Sequence, residues 1–245
     1  MPFIGTNMFL GNEFIGQTYL GEDRIEVSPY NYVTASLVTQ NLLAYFDSSD
    51  TNSYPGSGTE WYNLVAGQPI TASLVNGVTF KDGYLQTNGT NQYISIPTAL
   101  LDSRTGNSTV MGATRYADTS GNGRMMSGQS GVNWLLGHFN DTTVNYYPGG
   151  TVVGVPGGPN DTNWRVYAGN ANYSGDDYVL YVNGSAVSGT PTAGTTGPYG
   201  MEIGRQNNNT EYSSGSVAFV LFYARVLSAA EILQNYEFLK SKVGL

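Results

Sequence analysis

The sequence predicts an all-β protein: a two-sheet jelly-roll sandwich with one C-terminal helix and an extended N-terminal arm. Three observations carry that prediction. Strand-like runs recur about every ten residues between turns rich in Gly, Asn and Ser. Glycine (32) and tyrosine (19) are frequent while charged residues make up only 11% of the chain, which suits short strands and tight turns. Only the C-terminus combines a helix start signal with helical apolar spacing.

The arm comes first. Phe3-Ile4-Gly5, Phe9-Leu10-Gly11, Phe14-Ile15-Gly16 and Tyr19-Leu20-Gly21 are four copies of one pattern, with starts six, five and five residues apart. That spacing fits no helical or solenoid period. So short a segment cannot enclose a core, so the side chains of Phe3, Ile4, Phe9, Leu10, Phe14, Ile15, Tyr19 and Leu20 require burial elsewhere and are the candidate anchoring residues. Ser28-Pro29-Tyr30-Asn31-Tyr32 reads as a linker, which divides the chain into an arm, residues 1–32, and a domain, residues 33–245.

Within the domain, Leu42 to Asp47 is an apolar run ending in turn residues. Tyr84 to Thr87 and Tyr93 to Ile96 flank Asn88-Gly89-Thr90-Asn91 and predict a hairpin. Thr109 to Ala113, Arg124 to Ser127 and Trp134 to Phe139 are further strands. Tyr178 to Val182 and Ser185 to Val187 enclose Asn183-Gly184, the strongest hairpin signal in the chain. Val217 to Arg225 is apolar throughout, as expected of a strand covered on both faces. Ser228-Ala229-Ala230-Glu231 forms a capping box, followed by Ile232, Leu233, Tyr236 and Leu239 as one apolar face and Gly244 as the stop.

A formal charge of −8 disfavours nucleic acid and anionic membrane surfaces as partners. The absence of cysteine excludes disulfides and thiolate metal sites. The opening Met-Pro-Phe-Ile-Gly-Thr lacks the basic and apolar regions of a signal peptide, and no apolar run approaches the roughly 18 residues that span a bilayer.

Several segments resemble one family. Asn41 to Asp47 followed by Ser53 to Trp61, then Thr87 to Ile94, then Trp164-Arg165-Val166-Tyr167 with Tyr181-Val182-Asn183-Gly184, then Ile203-Gly204-Arg205, Val217 to Arg225 and Leu227 to Ile232 resemble, in order, the landmarks of laminin-G-like, concanavalin A-like jelly rolls. The resemblance covers about residues 38–245. The repeats of the arm are similar to N-terminal segments of tailed-bacteriophage virion proteins.

Jelly-roll glucanases carry paired carboxylates on one strand, and this sequence has no such cluster: its glutamates are scattered, and Asp176-Asp177 fit a turn. His138 is the sole histidine and reads as satisfied within a strand. Stacking faces and amide or charged partners for sugar hydroxyls are offered by Trp134, Tyr146, Tyr147, Arg205, Asn207 and Tyr212. Trp61 and Trp164 sit at landmark positions and are assigned to structure. No cofactor is expected, with calcium as the one option: laminin-G-like relatives often hold it at the sandwich rim, and Asp47, Asp50, Asp141 and Asp161 are the candidate ligands.

Together these resemblances imply a non-enzymatic bacteriophage virion surface protein, a capsid decoration or a fibre or tail adhesin. Its partners would be capsid or tail proteins, bound through the arm, and host-surface glycans. A homo-trimer would let the arms bury one another's repeats. A free carbohydrate-binding lectin is the alternative, and a glycoside hydrolase the third reading.

Overall fold

The computed structural model describes residues 6–10, 13–18, 36–97, 106–120, 122–129, 131–140, 145–149, 153–154, 161–173, 175, 177–187, 197–206 and 210–245. Its contacts divide the chain into two units, Met1–Ala35 and Ser36–Leu245. In the first, β1 (Thr6–Leu10) pairs antiparallel with β2 (Glu13–Thr18), which sets Phe9 opposite Phe14. The arm is therefore not one extended run.

The second unit is a sandwich of two antiparallel sheets. One runs β16 (Ser185–Ala186), β15 (Asp177–Val182), β14 (Arg165–Asn172), β9 (Ser108–Tyr116), β18 (Ser214–Tyr223), β7 (Tyr84–Asn88), β6 (Thr79–Lys81), with β3 (Leu42–Asp47) on the distal half of β18. The other runs β13 (Val153–Gly154), β12 (Asn145–Tyr147), β11 (Leu135–Leu136), β10 (Met126–Gly128), β17 (Met201–Ile203), β8 (Tyr93–Ile96), β5 (Thr71–Val75), β4 (Glu60–Tyr62). The apolar run around Val217 is indeed central, buried on both faces between β9 and the β7/β3 pair. Phe46, Trp61, Leu85, Ile94, Tyr116 and Phe222 fill the space between the sheets.

The Asn183-Gly184 hairpin forms as expected, both residues with positive φ (50° and 77°), the backbone a type I′ turn requires. The hairpin expected over Asn88 to Asn91 does not form. β7 pairs with β18 and β6 while β8 pairs with β5 and β17, so this segment carries the chain from one sheet to the other. Asn88 stabilises the corner by accepting hydrogen bonds on Oδ1 from the backbone N–H groups of Thr90, Asn91 and Gln92.

Helix α1 (Ala229–Leu239) begins with the expected capping box between Ser228 and Glu231. Ile232, Asn235 and Leu239 face the outer side of the first sheet, where they cover Met111, Leu221 and Tyr223. Burying Ile232 and Leu239 contributes about 2 kcal/mol each. Leu233, expected on the buried stripe, is exposed, and Asn235 takes its place. Its amide accepts from Val38 N at 2.9 Å and donates to Tyr223 Oη at 2.9 Å, so the buried polar group is satisfied.

Candidate functional site

Strand alternation makes the outer face of the second sheet polar. Ala72, Leu74, Ile94, Ile96, Met201, Ile203 and Met126 point inward to the core, so Ser73, Tyr93, Ser95, Glu202 and Ser127 point outward. The register aligns Glu60, Ser73, Ser95, Glu202 and Ser127 as one row across β4, β5, β8, β17 and β10. Glu202 and Ser127 are nevertheless buried, at 3% and 0% exposure, because Arg205 folds back over them.

Gly204 makes that fold possible. Its φ is +88°, and a Cβ there would lie 2.7 Å from Thr87 Cγ2, so no other residue fits without movement. Arg205 then grips Glu202 in a two-point pair, Nε to Oε2 at 2.8 Å and Nη2 to Oε1 at 2.9 Å. Its Cζ sits 3.3 Å from the centre of the Tyr93 ring, and Nη1 donates to Tyr212 Oη at 3.4 Å. Its carbonyl accepts from Ser127 Oγ at 2.6 Å. Burial alone would lower the guanidinium pKa, but the Glu202 carboxylate and the Tyr212 hydroxyl outweigh it and hold the group above its ordinary value.

Around this pair lie groups suited to a hydroxylated ligand. Gln129 Nε2 donates to Ser95 Oγ at 2.6 Å, and Tyr93, Ser95, Gln129 and Tyr212 are each partly exposed. A second pair, Arg124 Nε to Glu211 Oε2 at 2.5 Å, is joined to the exposed Asn133 through a 2.7 Å bond from Nη1. Tyr62, with 40% exposure, lies on the same face at the β4 edge and donates to Glu60 Oε2 at 2.7 Å. The result is a fixed charged centre with aromatic, amide and hydroxyl groups around it.

Of the sequence candidates, the structure places Arg205 and Tyr212 in contact. Trp134 and Tyr146 require correction as stacking surfaces. They pack edge to face, 6.1 Å apart, within the inter-sheet core at 0% and 1% exposure, so neither ring reaches a ligand. Tyr147, next along β12, points to the outer face but stands three strands from Glu202, about 14 Å away. Asn207 lies outside the described residues. Sequence reasoning missed Glu202 and Tyr93. The signal for Glu202 was a lone charge between Met201 and Ile203, with Gly204 and Arg205 directly after it.

His138 is a core residue just beyond β11, not within a strand. Its Nδ1 lies 2.9 Å from Thr114 Oγ1 and 3.2 Å from Tyr167 Oη. Burial, aided by the charge of Arg165, pulls the imidazole down to about 3, so it is neutral. Trp61 and Trp164 are structural as assigned, packed 5.3 Å from Phe46 and 4.6 Å from Tyr84.

The candidate calcium ligands are already engaged. Asp47 is bound by Lys242 at 2.7 Å, Tyr45 Oη at 2.7 Å and Ser49 N at 2.9 Å. Burial pushes its carboxyl up, yet Lys242, Ser49 and Tyr45 together hold it below the ordinary range. Asp50 accepts from Asn52, Asp161 pairs with Arg165, and Asp141 lies outside the described residues. Among the described residues no group of three His, Cys, Asp or Glu is placed to hold a metal ion. No described helix is long and apolar enough to cross a membrane. Of the anchoring candidates, Phe9 and Leu10 lie on β1 and Phe14 and Ile15 on β2. Phe3, Ile4, Tyr19 and Leu20 lie outside the described residues.

A family model described as "concanavalin A-like lectin/glucanases superfamily" matches residues 88–233, more than half of the chain. No curated protein matches the sequence. Among solved structures, Trypanosoma rangeli sialidase in complex with sialic acid superposes with a TM-score of 0.64 at 15% identity, over 85% of this chain and 34% of that one. The binding domain of Paraclostridial Mosquitocidal Protein 1 gives 0.58 at 14% identity, over 80% and 52%. The botulinum neurotoxin serotype G binding domain gives 0.59 at 12% identity, over 82% and 52%. The chain thus spans about a third of the sialidase and about half of each toxin domain, and at these identities the likeness is one of fold.

Proposed function

We propose, because this chain belongs to the concanavalin A-like lectin/glucanases superfamily, that it is a non-enzymatic glycan-binding module held on a larger assembly by its N-terminal repeats. One observation carries the reading: the outer face of the second sheet, where Arg205 is clamped by Glu202, stacked on Tyr93 and bonded to Tyr212. Pre-set aromatic and polar groups on rigid strands suit a rigid, hydroxyl-rich ligand, because little ordering entropy is lost on binding.

Two facts support a binding role over hydrolysis. Glu202 and Glu211 are each engaged by an arginine, so both carboxylates are occupied within the protein. Glu60 and Glu202 share the face but stand three strand spacings apart, about 14 Å, beyond the ~5–9.5 Å that glycosidase carboxyl pairs use.

The arm is the natural attachment point, and its similarity to phage virion segments supports a capsid or tail as the assembly. The large domain would then face outward and adhere to host-surface glycans.

A glycan array with the full chain tests the binding face. Wild type is expected to bind a restricted glycan set, and Tyr93→Ala or Tyr212→Ala to lose at least tenfold in affinity with melting still cooperative. Undiminished binding in both variants, or release of reducing sugar from the bound glycan, would sink the reading. Replacing Phe9 and Phe14 by Ser is expected to abolish particle incorporation without unfolding the domain; full loading would disprove the anchor.

A further inference from the structure

The opposite face of the sandwich carries a second constellation. On the first sheet, β9 alternates Val110, Gly112, Thr114 and Tyr116 toward the inter-sheet core against Met111, Ala113 and Arg115 outward. The C-terminal segment covers one end of this outer face and reaches Tyr84, whose hydroxyl donates to Lys242 O at 3.2 Å. Past Tyr84 lies a cleft of about 280 Å³, lined by Lys81, Asp82, Gln86, Arg115, Thr162 and Ser216 among others.

Strand pairing explains its shape. Gln86, Ser216 and Arg115 are direct cross-strand neighbours on β7, β18 and β9, so the small Ser216 makes the floor between two long side chains. Tyr84 and Trp164 pack 4.6 Å apart, and the Arg115 guanidinium lies 4.9 Å from the Trp164 ring and 5.8 Å from that of Tyr84. Those rings fix the guanidinium but use none of its N–H donors. Among the described residues no carboxylate pairs with Arg115 and no acceptor takes a hydrogen bond from its guanidinium. The other four described arginines of this domain, Arg124, Arg165, Arg205 and Arg225, are each matched to a carboxylate. In a chain of net charge −8, an unmatched arginine beside the exposed Lys81 is a local positive site.

We propose that this cleft is an anion-binding subsite for an acidic saccharide, with the ligand carboxylate held by Arg115 and Lys81. The stacked, planar guanidinium offers a two-point match to a planar carboxylate. Gln86, Thr162 and Ser216 supply partners for sugar hydroxyls. Asp82, which lines the same cleft, and the overall negative charge oppose multiply charged ligands, which favours a single carboxylate on a hydroxylated ring over a polyphosphate. The volume, near the lower end for small-ligand sites, suits about one sugar ring. This subsite does not rest on the Arg205 face: it lies on the other sheet and uses none of its residues.

The test is saturation-transfer NMR and titration calorimetry on the full chain with D-glucuronate, D-glucose and inorganic sulfate as probes. Glucuronate is expected to bind, glucose to give no signal at the same concentration, and added salt to weaken binding. Arg115→Gln is expected to cost at least tenfold in affinity. Lys81→Gln, an exposed change that leaves the aromatic stack intact, is expected to cost several-fold. Equal binding of glucose and glucuronate, or unchanged affinity in both variants, would overturn the subsite. Displacement of glucuronate by an equal concentration of sulfate would overturn its assignment to a saccharide.

Discussion

Removing the one imidazole from the core is expected to make the domain less sensitive to mild acid. His138 is fully buried, and its surroundings hold its pKa near 3 against an ordinary value of 6.5. A folded-state pKa below the unfolded one means that the unfolded chain takes up a proton which the native state refuses. The resulting stability is therefore present above pH 6.5 and is lost as pH falls from there toward 3. Between pH 7 and pH 5 the two pKa values give a loss of about 2 kcal/mol from this residue alone. For a domain of this size that is roughly 4–8 °C in Tm. His138→Gln removes the titration and keeps hydrogen-bonding groups for Thr114 and Tyr167. The carboxylates with lowered pKa, Asp47 and Glu231, are common to both proteins and cancel in the comparison. Thermal melts at pH 7 and pH 5 should show wild type losing about 2 kcal/mol more than the variant. Parallel losses, or an imidazole resonance of the native protein that titrates above pH 5, would refute the reasoning.

Two further outcomes follow from single contacts. Glu202→Gln leaves Arg205 covered and without its counter-charge, and should cost about 3 kcal/mol by denaturant titration, a loss that Glu202→Gln with Arg205→Met should partly recover. Ser228→Ala removes the cap of α1 and should cost about 1 kcal/mol, read in the same titration; no measurable change would mean that the capping box contributes nothing in solution.

The contrast between Ser228 and Asn88 marks how far a sequence carries. The capping box and the Asn183-Gly184 turn were legible because all the groups concerned lie within a few residues, and local sterics and hydrogen bonding set their geometry. The segment around Asn88 shows the same turn chemistry, yet whether its flanking strands pair together or join different sheets depends on partners more than a hundred residues away, Ser214 to Val217 for β7 and Met201 to Ile203 for β8. Trp134 and Tyr146 illustrate the same limit. An aromatic side chain suits a sugar and a core equally well, and only its position relative to the second sheet decides between them.

By itself the sequence determined the class of the fold, the position of its helix, its tightest turn, and the presence of an aromatic repeat segment at its start. Those properties follow from composition and from interactions between near neighbours. Tertiary structure alone decided which face carries Arg205 with Glu202 and Tyr93, that Arg115 stands over two rings with no carboxylate paired to it among the described residues, and that His138 is enclosed and neutral. Each of these depends on burial and on the field of residues distant in the chain, which take effect only when strands from both ends of the sequence are brought side by side.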